Sequence, residues 1–271
     1  MQPNDVRQVM EEQGFCVLPG ILTGVDLGRA REALGRAVER LRSGGRDTFN
    51  PLLDPNAQNI RVDNLPEFDP LFVELLRHPS ILPLVQSLVG PDAFVSNFTA
   101  NVALPGSRPM RMHSDQALVV PPPWNERWAI NMIWCLDDLY EANGATRYLP
   151  GSHRIRSFTE VPPEPERLMH AFCAPAGSVI VMDGRLWHTS GANVTSDKRR
   201  ALLFAYYTRG FLRGQVNWEV TLSPETKGRL DADAQGLLGM GPLSNTALGV
   251  ALVSLAQGAV PQERTDVPAR E

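Results

Sequence analysis

The chain has 271 residues, 43% of them hydrophobic and 21% charged, which excludes a disordered chain and leaves room for one large domain or two small ones. A net charge of −4 leaves no electrostatic footprint for DNA or RNA. No run approaches ~18 uninterrupted apolar residues, so a membrane span is not expected either. In chain order, the first ninety residues read as helical. Asn4 suits the cap of a short helix to Gln13, ended by Gly14. Thr23, with Asp26 three residues on, resembles a capping box. The helix behind it carries Leu27, Ala30, Leu34, Val38 and Leu41 as one apolar stripe and stops at Ser43-Gly44-Gly45. Residues 46–68 are rich in Asn, Asp and Pro and read as a loop. Short helices near 69–77 and 80–89 follow.

From about residue 93 the pattern changes to short β-rich runs: 93–104, 109–113, 128–136, 146–149, 168–173, 178–182, 185–190 and 199–209. Such spacing predicts a sandwich or barrel, because βαβ units need helical crossovers. Two longer insertions, Gln116–Arg127 and His153–Glu166, are proline-rich and read as substrate-dependent lids. A helical stretch over 224–238 and an apolar small-residue run over 243–257 close the pattern. The expected layout is one domain over 1–271: a mainly helical layer over 1–92, a β core over 93–222, a C-terminal helical segment over 223–257 and a polar, disordered tail over 258–271.

Cys16, Cys135 and Cys173 are odd in number and far apart, which argues against a thiolate zinc site or a disulfide framework. The opening MQPNDVRQVMEEQG is polar and unlike a secretion signal, so a cytoplasmic location is expected. Lys198 and Lys227 are the only lysines among 26 basic residues, a bias that points to a GC-rich, bacterial genome.

The strongest chemical signal is Met112-His113-Ser114-Asp115. In extended chain, residues two apart share a face, so His113 and Asp115 can reach one point. One more histidine would complete a two-histidine, one-carboxylate site for a divalent metal. His188, on a short strand leaving a glycine turn, is the best candidate. His78 reads as structural, His153 as the pin of the turn Pro150-Gly151-Ser152, and His170 stays open. Such a site leaves positions on Fe(II) for a chelating 2-oxo acid and O₂. A 2-oxo diacid then needs a cation for its far carboxylate, which a downstream arginine supplies in bidentate form.

The series His113-x-Asp115, Trp134-Cys135-Leu136-Asp137-Asp138, Asn143-Gly144, Pro150-Gly151-Ser152-His153, His188-Thr189-Ser190-Gly191-Ala192-Asn193 and Arg199 resembles the phytanoyl-CoA dioxygenase family. The resemblance spans roughly residues 5–238 and is strongest from 110 to 205. It implies a double-stranded β-helix (jelly-roll, cupin-like) core, mainly β with flanking helices. It also implies a non-haem dioxygenase using Fe(II), 2-oxoglutarate and O₂, with His113, Asp115 and His188 as iron ligands. Arg199 would anchor 2-oxoglutarate, and Trp134 would lie beside it. Arg200 competes with Arg199, since adjacent strand residues face opposite ways; the smaller side chains on the Arg199 face favour Arg199. Aspartate at 115, where related halogenases hold a small residue, points to hydroxylation or another oxidation. The expected partner is a small organic molecule, with natural-product tailoring preferred over an acyl-CoA substrate. The competing reading is a non-catalytic, cupin-like binder or a degenerate family member. Trp124, Trp128 and Pro121–Pro123 either line a substrate mouth or pin their own loop.

Overall fold

The computed structural model describes residues 3–240. α1 (Pro3–Gln13) ends at Gly14, whose φ of +79° turns the chain into β1 (Phe15–Leu18). α2 (Gly24–Ser43) buries Ala30, Ala33, Leu34 and Ala37. The expected capping box is absent, because the Thr23 side chain makes no cap hydrogen bond. Residues 46–68 are not all loop: β2 (Asn59–Val62) lies within them. α3 (Pro70–Leu76) is capped by Asp69, whose carboxylate accepts from the Leu71 amide, and α4 (Leu82–Val89) follows.

The β core holds β3 (Phe94–Ala103), β4 (Ala129–Cys135), β5 (Arg147–Tyr148), β6 (His170–Ala171), β7 (Val179–Asp183), β8 (His188–Thr189) and β9 (Arg200–Thr208). Six strands form one antiparallel sheet in the order β1-β7-β4-β9-β3-β2, and three form a second in the order β6-β5-β8. This non-consecutive antiparallel order is that of a double-stranded β-helix with helices packed outside. The run 109–113 forms no strand; its bridge partner is His188, opposite His113, and its Met110 carbonyl accepts from the Thr189 hydroxyl of β8. A short helix α5 (Trp218–Thr221) precedes the stretch expected as one helix over 224–238, which is two short ones, α6 (Pro224–Gly228) and α7 (Ala232–Leu237). The expected apolar run 243–257 and the tail lie outside the described residues. No helix among the described residues is long and apolar enough to cross a membrane.

The large sheet is covered on both faces. Ile130, Met132 and Trp134 of β4, with Ala201, Leu203, Ala205 and Tyr207 of β9, pack against the helical layer. Ile133, Cys135 and Leu202 face the small sheet instead. A bulge between Val95 and Asn97 shifts the β3 register, so that Val95 and Phe98 both face the helices while Asn97, Thr99 and Asn101 face a cavity between the sheets.

Candidate metal centre

The cavity measures about 570 Å³ and is lined by His113, Asp115 and His188. One ligand atom from each of the three falls within 4.8 Å of the others. His113 and His188 are opposite one another as bridge partners, each donating its amide to the other's carbonyl at 2.9 and 2.8 Å. Asp115 opens the 3-10 turn Asp115–Leu118 directly after extended Ser114, which keeps its carboxylate on the His113 side. Its Oδ1 lies 3.6 Å from His113 Nε2 and 3.7 Å from His188 Nε2.

The surroundings prepare these atoms to bind a cation. His113 Nδ1 lies 3.0 Å from the Arg111 carbonyl and His188 Nδ1 lies 2.9 Å from that of Leu186. A neutral imidazole donates there from Nδ1, so the lone pair sits on Nε2, the atom facing Asp115. Asn131 of β4 donates from Nδ2 to Asp115 Oδ2 at 3.0 Å and leaves Oδ1 for a metal. Tyr206 donates its hydroxyl to the Asp115 carbonyl at 3.3 Å. Burial, then the charge of His113, pushes His188 down to about 4, so it is neutral near pH 7. Burial would raise Asp115, but the charge of His188 and the His113 hydrogen bond hold it at about 2. Burial opposes charge on His113 as well, yet the hydrogen bond and charge of Asp115 raise it. Two nitrogens and one carboxylate oxygen, each oriented by a second partner, fit an Fe(II) ion.

Arginine placement overturns the expectation for the anchor. Arg199 points away from the cavity, its side chain 54% exposed, and its Nε lies 3.7 Å from Asp137. Arg200 lines the cavity and is 1% exposed. The small residues Ala201 and Ala205 that share the Arg199 face make room for helices rather than for a ligand. Arg200 donates from Nε to the Gly144 carbonyl at 3.0 Å and from Nη1 to Asn101 Oδ1 at 2.9 Å. Gly144 presents that carbonyl at a φ of +81°, where a Cβ would meet the Asn193 amide and the Gly191 carbonyl at 3.2 Å each. Arg200 Nη2 is buried with no protein partner. Burial, then the charge of Arg61, lowers Arg200 to about 10, which marks a cation short of counter-charge.

Trp134 also departs from expectation. It faces the helical layer, fully buried, with its ring edge-on to His78 at 5.7 Å. The other motif residues are scaffolding. Asp137 accepts from the Ala201 amide at 3.0 Å and fixes the start of β9. Ser152 accepts from the Trp187 amide at 2.8 Å and donates to the Leu149 carbonyl, holding the chain just before His188. His153 Nε2 meets the Glu11 carbonyl at 3.1 Å, pinning its turn to the end of α1. Trp124 is buried and bonds its own loop through the Val119 carbonyl at 2.7 Å. The tryptophan thus pins the insertion, and the cavity is lined instead by its neighbours Ala117 and Leu118.

Asn131 and Tyr206 escape the sequence reading. The signal for Asn131 is polarity inside an otherwise apolar, fully covered strand, Ala-Ile-Asn-Met-Ile-Trp-Cys.

A family model described as phytanoyl-CoA dioxygenase matches residues 10–201. Dioxygenase af480 of Aspergillus fumigatus is 41% identical over 245 residues, covering 90% of this chain and 79% of that protein. HygX from Streptomyces hygroscopicus, solved with nickel and 2-oxoglutarate bound, superposes with a TM-score of 0.64 at 17% identity, over 79% of this chain and 90% of its own. EctD from S. alaskensis, solved with bound Fe, gives 0.64 at 20% identity, over 80% and 82%.

Proposed function

The chain belongs to the phytanoyl-CoA dioxygenase family of Fe(II)- and 2-oxoglutarate-dependent enzymes, and on that premise we propose that it oxidises a small organic molecule of secondary metabolism. In this reading His113, Asp115 and His188 hold the iron. Arg200, rather than Arg199, receives the far carboxylate of 2-oxoglutarate. One observation carries the assignment: an arginine with an unpartnered, buried Nη2 lines the same cavity as three converging ligand atoms.

Iron(II), when bound, supplies oxidising chemistry driven by O₂ and the decarboxylation of 2-oxoglutarate to succinate and CO₂. The protein's own groups do the rest. The Arg111 and Leu186 carbonyls fix both imidazoles with Nε2 toward Asp115 Oδ1, where the three residues would hold the metal. Asn131 occupies one oxygen of Asp115, so the carboxylate offers the metal a single donor. Arg200, already held by Gly144 and Asn101, loses little freedom when a carboxylate docks. Phe204 and Tyr206, on the β9 face that carries Arg200, line the cavity and would limit the water beside a bound 2-oxoglutarate.

The test is anaerobic. Purified protein with Fe(II) and 2-oxoglutarate should develop a weak visible charge-transfer band, and His188→Ala should lose both the band and iron retention. A His188→Ala protein that keeps iron and the band would overturn the ligand assignment. A wild-type protein without the band would favour a non-catalytic binder.

A further inference from the structure

The cavity has two kinds of wall. Phe204 aside, the strands present mainly polar side chains, among them Asn97, Thr99 and Asn101 of β3. The loops present apolar ones: Leu52 and Leu53 from the segment between α2 and β2, Leu118 from the first insertion and Phe158 from the second. These four are open to water, Leu52 by 93%, Leu118 by 71%, Phe158 by 55% and Leu53 by 43%. A lone exposed leucine is ordinary, but four large apolar side chains from three separate loops converging on one cavity mark a surface that something apolar covers. The Leu52–Leu53 pair lies in an Asn-, Asp- and Pro-rich stretch, Asn50-Pro51 before it and Asp54-Pro55-Asn56 after it. The volume suits a ligand of drug-like size.

Charge narrows the class. Besides Arg200, the cavity is lined by Arg61 and Arg111. Arg61 is committed to Asp54, with contacts of 2.7 and 2.8 Å. Arg111 is then the one lining arginine without a carboxylate partner or a 2-oxoglutarate role among the described residues. A single such cation suits at most one negative charge, and a nucleoside diphosphate carries more.

We propose that this site takes a hydrocarbon-rich substrate carrying at most one negative charge, and that Leu52 and Leu53 are specificity-determining residues forming the third wall of its mouth. The proposal rests on the oxygenase reading above, because it assigns the substrate of the same cavity.

The probe is Nile red, an uncharged dye that brightens in apolar surroundings, added to the full chain loaded with Zn(II) and 2-oxoglutarate. Wild-type protein should bind it, and decan-1-ol should displace it. The double variant Leu52→Ser, Leu53→Ser should bind it at least about tenfold more weakly, and Phe158→Ser should weaken it similarly. Free coenzyme A, which carries the diphosphate without an acyl chain, should not displace the dye. Unchanged affinity in the double variant, or displacement by coenzyme A, would overturn the proposal. The anaerobic Fe(II) band serves as the control. If the double variant keeps the band while dye affinity falls, the site is folded and the mouth alone has changed. Absence of the band in wild-type protein is failure of the oxygenase reading, whereas unchanged dye affinity in the double variant is failure of this proposal alone.

Discussion

Arg199 and Arg200 differ by one residue and by everything around them. One salt-bridges Asp137 at the surface; the other is sealed inside with an unused Nη2. Replacing Arg200 by Ala should therefore weaken 2-oxoglutarate binding by ~1.5–3 kcal/mol, roughly ten- to a hundredfold, while Arg199→Ala changes it little. Titration of the anaerobic charge-transfer band with 2-oxoglutarate gives both affinities, and a reversed order would refute the assignment. The three ligand candidates were legible because a His-x-Asp pair on extended chain and a strand-borne histidine leave few alternatives. Which arginine faces inward was not legible. β9 is buried along almost its whole length on both faces, so hydrophobic alternation cannot separate inside from outside. Trp134 was misplaced for the same reason, since every residue of β4 is buried. The usable clue was a strongly polar residue in such a strand, and Asn131 and Arg200 both follow it to the cavity side; tyrosine gives no such clue, since Tyr206 lines the cavity and Tyr207 faces the helices.

Among elements, the helices and most strands could be read from period and punctuation, but β1 and β2 could not. Each is four residues long and gains its strand character from a partner far along the chain, β7 for one and β3 for the other. The two insertions were legible as insertions, while their mutual contact was not. Trp124 meets Phe158 edge-on at 5.0 Å, and its amide donates to the Arg156 carbonyl at 3.1 Å. Phe158 in turn meets Trp187, the residue before His188, at 5.7 Å. The insertions should therefore loosen together. In Trp124→Ala, chymotrypsin should cut faster at both Leu118 and Phe158, followed by mass spectrometry of the fragments. Faster cutting in the 116–127 insertion alone would mean that the two move independently.

Across the whole molecule, a buried charge cluster ties the helical layer to the sheet. Asp183, at the end of β7, accepts from Arg127 Nε at 2.7 Å and from Arg185 Nη2 at 2.8 Å, and Arg127 reaches back to Glu11 of α1 at 2.8 Å. Burial alone would raise the Asp183 carboxyl, but hydrogen bonds from Arg185 and the charges of Arg185 and Arg127 hold it below the usual carboxylate range. A carboxyl lowered by folding stabilises the native state above its unfolded pKa of about 3.9 and loses that contribution as pH falls through the lowered value. Thermal melts should thus show the wild type losing stability from about pH 4 downward. Asp183→Asn should be less stable by about 3–5 kcal/mol at neutral pH, with a shallower decline in acid. An Asp183→Asn protein as stable as wild type at pH 7 would mean that the cluster is incidental.

The paired amides of His113 and His188 have a consequence for how this chain tolerates changes of length. Two of the three ligand candidates are opposite numbers in one antiparallel bridge, so the alignment of two distant segments is itself what brings their imidazoles together. A slip of a single residue would seat Met112 or Ser114 across from His188 and turn the neighbouring side chains to the wrong face. Insertions or deletions in the connection 104–112 can be absorbed by a surface loop without disturbing the packed sheet. A change that is taken up instead as a shift of the bridge is not absorbed by the ion-binding geometry. Metal capacity is therefore a vernier on the alignment of the two segments, recording an offset that the hydrophobic core would never feel.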